Sequence, residues 1–335
     1  MKKRGIGYAC AMQGVNYHFG HEDTSEVRVE VSPVDDHVEF FTAGADLGQG
    51  MEATLIMLLC QALGGLSPAW VRWAEPNTAT SPDPGGTGAS RQTSLSGNAL
   101  WLAGQALREP LWDLAAEMLG APTGEITLDG DVFRGPGSES VTWKRLVAQA
   151  RALGVMLSVS GKFTAPPTTP LDERGQGYPV NQYSYATHVA AVEVDLDTGE
   201  VAVLWVKAFH DSGRIINPVG AEGQVEGGIV MGLGYALTEA FLMQEGHMLN
   251  RGFTNYLIPT IMDAPVTIES HFVDKPVPFG EIGTKGLAEV PSVPIAAAIV
   301  NAIYNATGAR VYTLPATPER VLNALSRAER EAHEP

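Results

Sequence analysis

With 335 residues the chain has room for about two domains, and 44% hydrophobic against 18% charged residues is the composition of a packed protein. A net charge of −16 and a pI near 4.9 set it against phosphate backbones and anionic lipid surfaces, so neither nucleic acid nor a membrane is expected as a partner. Cys10 and Cys60, far apart and without a C-x-x-C, build neither a disulfide framework nor an iron–sulfur site and fit a reducing cytoplasm.

The opening "MKKRGIGYACAMQGVNYHFG" has a basic tip and an apolar run, but Gln13 and Asn16 interrupt it and no cleavage site follows. A secretory signal is the less favoured reading, and no uninterrupted apolar run approaches membrane-spanning length. Alternation in "SEVRVEVSP" and "DHVEFFTAGA" predicts two paired strands that turn at residues 33–36. "MEATLIMLLCQALGG" predicts a helix ended by glycines, and "SRQTSLSGNALWLAGQALREPLWDLAAEMLG" one long helix or two. Short strands and a helix follow over residues 121–154, and the proline-rich "GKFTAPPTTPLDERGQGYPVNQ" is the best domain boundary. "HVAAVEVDLDTGEVAVLWVKAFHD" predicts a hairpin turning at Asp197, Thr198 and Gly199; Asp195 and Asp197 lack the later ligands of a calcium loop. A loop and the helix "AEGQVEGGIVMGLGYALTEAF" come next. Each half thus runs strands, glycine loop, helix, which predicts an α+β protein. Its mixed sheets would be packed with helices in two similar units, residues 1–165 and 166–335.

Four segments carry chemistry. In "GADLGQGMEATL", Gly48 and Gln49 stand at a helix start, where free N–H groups and the helix dipole attract electron-rich atoms; a plain tight turn fits equally well. In "SPDPGGTGASRQTSLSGNA", glycines bring backbone close to a ligand while Thr87, Ser90, Arg91 and Gln92 supply donors at a helix mouth. The loop is neither a Walker A nor a dinucleotide fingerprint, and a Ser/Thr-capped helix is the alternative. Gln224, Gly228 and Met231 share one helix face among glycines, each of which costs about 1 kcal/mol relative to Ala, so something must approach that backbone, a second helix or a ligand. Glu289 precedes a helix with Ile295, Ile299 and Ile303 at every fourth position. Its carboxylate reads either as a helix cap or as a general base in a partly dry pocket, and spacing favours the cap. His18, His21, His188 and His210 are not at metal-ligand spacing and read as surface or satisfied histidines. No nucleophile elbow is present.

In chain order, "GADLGQG", "GGTGASRQTSLSGNA", "YATHVAAVEVDLDTGEV", "HDSGRIINPVGAEGQVEGGIVMGLGYALTE", "TNYLIPTIMDAP", "GTKGLAEVPSVPIAAAIVNAI" and "LPATPERVLNAL" resemble the molybdopterin-binding subunit of the molybdenum hydroxylases, the xanthine dehydrogenase and aldehyde oxidase group. The resemblance covers nearly the whole chain and turns the reading of Glu289 from cap to catalytic base. It implies that Leu47, Gly48 and Gln49 approach the pterin, and that Thr87, Gly88, Ala89, Ser90, Arg91 and Gln92 bind the molybdenum–molybdopterin cofactor, in its cytosine dinucleotide form. Gln224 and Met231 would face the cofactor, and Lys285 and Gly286 would line the loop that delivers Glu289. Two departures stand out: Ala288 and Val290 flank Glu289 where the family usually has Gly before and Pro or Ser after, and Met231 replaces a family Gln. The chain resembles only the C-terminal part of the family subunit, without its earlier glycine-rich loop and its arginine-bearing substrate segment. The implied partners are a chain carrying the N-terminal half, an iron–sulfur subunit, an FAD subunit and a small-molecule substrate. The implied reaction is hydroxylation of a purine or related N-heteroaromatic with water as oxygen source. An aldehyde, nicotinate or carbon monoxide as substrate, or a non-catalytic scaffold, are the alternatives.

Overall fold

The computed structural model describes residues 1–333, so the last two residues of the expected second unit lie outside it. In chain order the elements are strands β1 (Lys2–Val15), β2 (Thr24–Val31) and β3 (Val38–Phe41), helix α1 (Met51–Ala62), β4 (Val71–Trp73) and helix α2 (Gln92–Leu119). Then come β5 (Thr127–Asp129), β6 (Val132–Arg134), β7 (Ser140–Thr142), α3 (Trp143–Leu153) and β8 (Ser158–Thr164). The second half holds β9 (Gln182–Asp195), β10 (Val201–Asp211), α4 (Pro218–Leu237), β11 (Met243–Gln244), β12 (His247–Met248), β13 (Thr267–Phe272), α5 (Ile295–Thr307) and α6 (Pro318–His333).

Two four-stranded mixed sheets carry the architecture, ordered β4-β3-β2-β8 and β1-β9-β10-β13, and a three-stranded ribbon β5-β6-β7 adds to the first half. In β2 the predicted alternation is realised: Val27, Val29 and Val31 are buried while Arg28 and Glu30 are half-exposed. The α2 segment is one helix, not two, and carries Pro110 in its interior. The Asp197 turn is set by Asp195, whose carboxylate accepts the N–H groups of Asp197 and Thr198 at 2.9 and 3.3 Å.

Each sheet is pressed against one helix at a glycine, which explains the shared rhythm of the two halves. A Cβ at Gly161 of β8 would lie 2.1 Å from the carbonyl oxygen of Ala99 in α2. At Gly7 of β1 it would lie 2.2 Å from the Ala302 nitrogen and 2.4 Å from the Ala298 oxygen in α5. The cores are separate. One gathers Val27, Val29, Phe40, Leu58, Leu100 and Leu107 around α1 and α2. The other gathers Val192, Val206, Ile229, Ile295, Ile299 and Ile303 around α4 and α5.

One expectation needs correction. A cut between residues 165 and 166 does not follow the sheets, because β1 pairs with β9 from Lys2↔Asp195 to Val15↔Gln182 and so belongs with the second core. Strand pairing over fourteen residues also means that the N-terminal apolar run is an ordered part of the sheet. Residues Val290–Thr307, with a mean hydropathy of 1.2, are long and apolar enough by composition to cross a membrane, although Ser292, Asn301 and Asn305 interrupt the apolar run. They pack instead as a core helix, with Ile295, Ala298, Ile299, Ala302 and Ile303 buried against the sheet.

Because both atoms facing Gly7 are backbone, a Gly7→Ala chain must shift β1 away from α5. The expected cost is about 1–3 kcal/mol, the usual penalty of overpacking. Urea unfolding should show it as a lower midpoint at an unchanged slope, and an unchanged midpoint would refute the close approach.

Candidate active site

Loops from both halves meet at a cleft of about 240 Å³ between the two cores. Its walls include the first turns of three helices: Met51 and Thr54 of α1, Gln92 and Thr93 of α2, and Gly220 and Ala221 of α4. Helix starts leave N–H groups without intrahelical partners and carry partial positive charge, so one that no side chain caps favours an anionic or electron-rich ligand. No side chain caps the start of α2. That of α4 is capped by Asn217, whose Oδ1 accepts the Gly220 N–H at 3.0 Å. At α1, burial opposes ionisation of Asp46, but backbone N–H groups of Glu52, Gly48, Gly50 and Met51 hold its carboxyl below the usual range.

Of the predicted loop, Thr87, Gly88, Ser90, Arg91 and Gln92 line the cleft, and Ala89 does not. Ala89 and Ser90 both have a φ of 51°, a left-handed conformation that side chains rarely adopt, and the chain reverses there before α2. Thr87 Oγ1 accepts from the Ala45 N–H at 2.9 Å and from Gln92 Nε2 at 3.1 Å, which braces this loop against residues 45–50. A Cβ at Gly88 or Gly48 would meet nothing within 4 Å, so those backbones are open to a ligand. Leu47 is exposed at the cleft mouth.

Glu289 reaches the same cleft from the other half. Its side chain does not cap the helical turn that follows; the turn is closed by its main-chain oxygen, which accepts from Ser292 N at 3.1 Å and Ser292 Oγ at 2.9 Å. The carboxylate turns across the cleft instead, with Oε2 accepting from Ser90 Oγ at 2.6 Å and from Gln13 Nε2 at 3.2 Å. Gly286 makes this possible, since a Cβ there would lie 2.0 Å from the Ser90 carbonyl oxygen. The loop behind Glu289 is tied to the sheet by Ser184 Oγ, which donates to the Gly286 oxygen at 2.6 Å, and by Gln182 Nε2, which donates to that of Thr284 at 3.1 Å. The expected dry pocket is not formed by these residues, for Glu289 is exposed on the cleft rim.

Not every predicted ligand residue is free to serve. Arg91 is completely buried, and its guanidinium is bound to Asp23 at 2.6 and 2.7 Å and to the oxygens of Pro84, Gly86 and Thr24. It holds the loop, and its backbone alone is left for the cleft. Gln49 closes its own turn, donating to the Ala45 oxygen at 3.0 Å and accepting from Leu47 N at 2.5 Å. Lys285 Nζ pairs with Asp211 at 2.9 Å. Met231 is 57% exposed and does not line the cleft; Gly228 and Gly232 on the same helix exist for packing, against Pro291 and Ile295. Gln224 does line the cleft, and its side-chain amide makes no hydrogen bond to any described residue. Sequence reasoning missed Gln13, Ser212 and Arg214. The quoted loop "SGRIINPVG" contained the last two, but no spacing rule marked them.

Residues 1–265 match the family model described as the molybdopterin cofactor-binding domain. The aldehyde oxidoreductase of Megalodesulfovibrio gigas is 32% identical over 328 residues, which are 96% of this chain and 32% of that protein. The chain belongs to the molybdenum hydroxylase family. A putative xanthine dehydrogenase molybdenum-binding subunit of Escherichia coli is 30% identical over 334 residues, covering 95% of this chain and 42% of that protein. The solved aldehyde oxidoreductase of Desulfovibrio gigas superposes with a TM-score of 0.79 at 30% identity, over 97% of this chain and 33% of the solved one. The chain therefore spans about a third to two fifths of the length of these relatives.

The residues present fit a molybdopterin-type group. Ser212 Oγ lies buried in the cleft wall without a hydrogen-bond partner among the described residues, and buried polar atoms normally have one. With the Gln224 amide, the uncapped start of α2 and the open backbone at Gly88, it gives a polar, anion-accepting cradle in the molybdenum hydroxylase cleft.

His188 and His210 depart from expectation. Both are buried, Nε2 to Nε2 at 3.0 Å, and neither Nδ1 has a partner among the described residues. Burial and then the neighbouring His210 push His188 down to about 3, and burial pushes His210 down to about 4. The unfolded chain therefore binds protons that the native pair refuses. The pair's contribution to stability is complete above the ordinary histidine pKa of about 6.5 and is lost as pH falls toward about 4, by roughly 1.4 kcal/mol per pH unit for each ring. Melting temperature should thus hold between pH 8 and 7 and fall steadily below about 6.5; a flat profile down to pH 4.5 would contradict the buried neutral pair.

Asn98 joins the cleft walls. Fully buried in α2, its Oδ1 accepts from Glu281 N at 2.7 Å and Ile282 N at 3.2 Å. Asn98→Ala would strand both donors, each worth about 1–3 kcal/mol, so a loss of about 2–6 kcal/mol is expected in denaturant titration. A change under about 0.5 kcal/mol would show that the seam carries no weight.

Proposed function

We propose that this chain is the cofactor-binding C-terminal portion of a molybdenum hydroxylase, acting in the cytoplasm on a purine or related N-heteroaromatic ring. A companion polypeptide would supply the other portion of the molybdopterin subunit, and further subunits would carry iron–sulfur and FAD centres. The observation that carries the reading is the placement of Glu289 on the cleft where three helix starts converge.

When bound, the molybdenum–molybdopterin cofactor, here in its cytosine dinucleotide form, supplies the redox chemistry that inserts oxygen from water at an electrophilic carbon. Gly88, Gln224, Ser212 and the start of α2 would hold its polar groups. Glu289 would serve as general base. Ser90 and Gln13 both bind Oε2 of its carboxylate, which fixes the group and leaves Oε1 free to take a proton. Arg91 and Asp23 would keep residues 85–92 in the shape that presents Ser90. The similarity to an aldehyde oxidoreductase across 96% of the chain supports an aldehyde as the second reading of the substrate.

The test is the complex isolated from the native host with wild-type or Glu289→Gln chain. Near-stoichiometric molybdenum in both, with turnover lowered by about 10²–10⁴ in the variant, is the expected result. Metal in both with equal turnover would remove Glu289 from the chemistry. A complex without molybdenum would leave the chain as a scaffold.

A further inference from the structure

The helix-facing side of the sheet β1-β9-β10-β13 turns polar toward the cleft. Gly7 of β1 faces α5 and pairs with Ala190, so alternation and register put Gln13 of β1, His188 of β9, His210 of β10 and Ser270 of β13 on that same inner side. Ser212, two residues beyond His210, continues the row onto the cleft wall. Eight buried side-chain nitrogen and oxygen atoms lack a hydrogen-bond partner among the described residues, and five of them lie here: Gln13 Oε1, Ser212 Oγ, Nδ1 of His210 and of His188, and Ser270 Oγ. Buried polar atoms normally have a partner, so a concentration of orphans on one face of one sheet points to a ligand that this face holds.

The tautomers of the histidine pair define that ligand. Both rings are neutral, and their Nε2 atoms share one hydrogen bond at 3.0 Å. One ring donates this bond and therefore has a bare Nδ1, while the other accepts it and carries its proton on Nδ1. The pair thus turns one acceptor and one donor to its surroundings. An anion would be bound by only one of these atoms and a metal ion only by the other; water donates and accepts, and serves both. Methyl side chains border the rings, Ala9 and Ala208 beside His188 and Ala186 beside His210. His210 and Ser212 stand about 6.6 Å apart along the strand, a gap that one bridging water spans.

We propose that this inner face is a hydrated track, in which bound water joins Ser212 at the cleft to the Nδ1 atoms of His210 and His188 and on to Ser270, and through which the buried pair exchanges protons with the cleft. A proton that reaches the bare Nδ1 sends the Nε2 proton of that ring across to the other ring, whose Nδ1 proton passes to the water beyond. One proton enters and one leaves, and the rings end in exchanged tautomers. Gln13 brings the track to Glu289, because its Nε2 donates to that carboxylate while its Oε1 is buried on the inner side. Service to Glu289 rests on the reading of that residue as general base; the water and its exchange do not.

The test uses the full chain, isotope-labelled at its histidine nitrogens for NMR and crystallised for a high-resolution structure. One ring of the pair should be protonated at Nδ1 and the other at Nε2, and the crystal should hold water within about 3.2 Å of both Nδ1 atoms. Relative to their intrinsic rates, the ring N–H protons should be protected from solvent exchange at least about tenfold less than the β9 backbone amides around His188. Ser212→Val should slow their exchange about tenfold while its circular dichroism stays that of the wild type. No water at either Nδ1, or ring protons as protected as the β9 amides, overturns the proposal. An unchanged rate in folded Ser212→Val also overturns it, since water would then reach the pair without the cleft. A metal ion at the rings overturns it in favour of a cation site. Equal turnover of the Glu289→Gln complex beside the expected water and exchange overturns the reading of Glu289 and leaves the track standing.

Discussion

The amide of Asn98 takes two backbone N–H groups of residues 281 and 282 inside α2, and Ile282 and Ile216 from the second half bury themselves in the first core. Everything at the cleft depends on that seam. A buried amide that satisfies two backbone donors defines one geometry, because any slippage leaves polar groups unpaired in a low dielectric. The loop that ends in Glu289 starts from this fixed point and is fastened again at Ser184 and Gln182. A carboxylate on a surface rim is thereby held to a single position beside Ser90.

The same seam explains an oddity of α2. Its first two turns bury Ser94, Ser96 and Asn98 completely, which would be costly for a helix packed on apolar neighbours. Each has a partner: Ser94 with Asn16 at 2.8 Å, Ser96 with Ser25 at 2.9 Å, and Asn98 with the 281–282 backbone. Asn98 makes this polar end the seam between halves while Ser96 fastens it to β2 of its own sheet, and the apolar remainder, through Leu100 and Leu107, is ordinary core. An acidic chain thus still offers donors in its cleft, since the uncapped start of α2 and the Gln224 amide supply them without a surplus of lysine and arginine.

Local order determined much. Alternation located β2 and β3, fourfold spacing located α5, glycines and prolines located the turns, and the run of quoted motifs marked the family and pointed to Glu289. These signals survive in one dimension because each is carried by a few neighbouring residues with a fixed period. Roles that depend on who sits opposite could not be read in this way. Arg91 looks like a ligand donor in its loop, yet Asp23, nearly seventy positions earlier, claims its guanidinium. Met231 shares a helix face with Gln224 by count, but the helix turns it out of the cleft. His188 and His210 become a pair only because β9 and β10 are hydrogen-bonded neighbours.

The sequence by itself determined most of the elements, the family and which carboxylate to look at, because periodicity and motif order are local properties. Only the tertiary structure decided what that carboxylate faces. That it caps no helical turn and instead meets Ser90 and Gln13 follows from Gly286 passing against Ser90 and from Gln13 arriving on a strand at the far end of the chain. The division of the chain was decided the same way, since β1 joins the sheet of the second half through fourteen paired residues that no local pattern reveals. Contacts across such distances arise from packing and strand pairing, so their physical cause lies in which surfaces exclude water together.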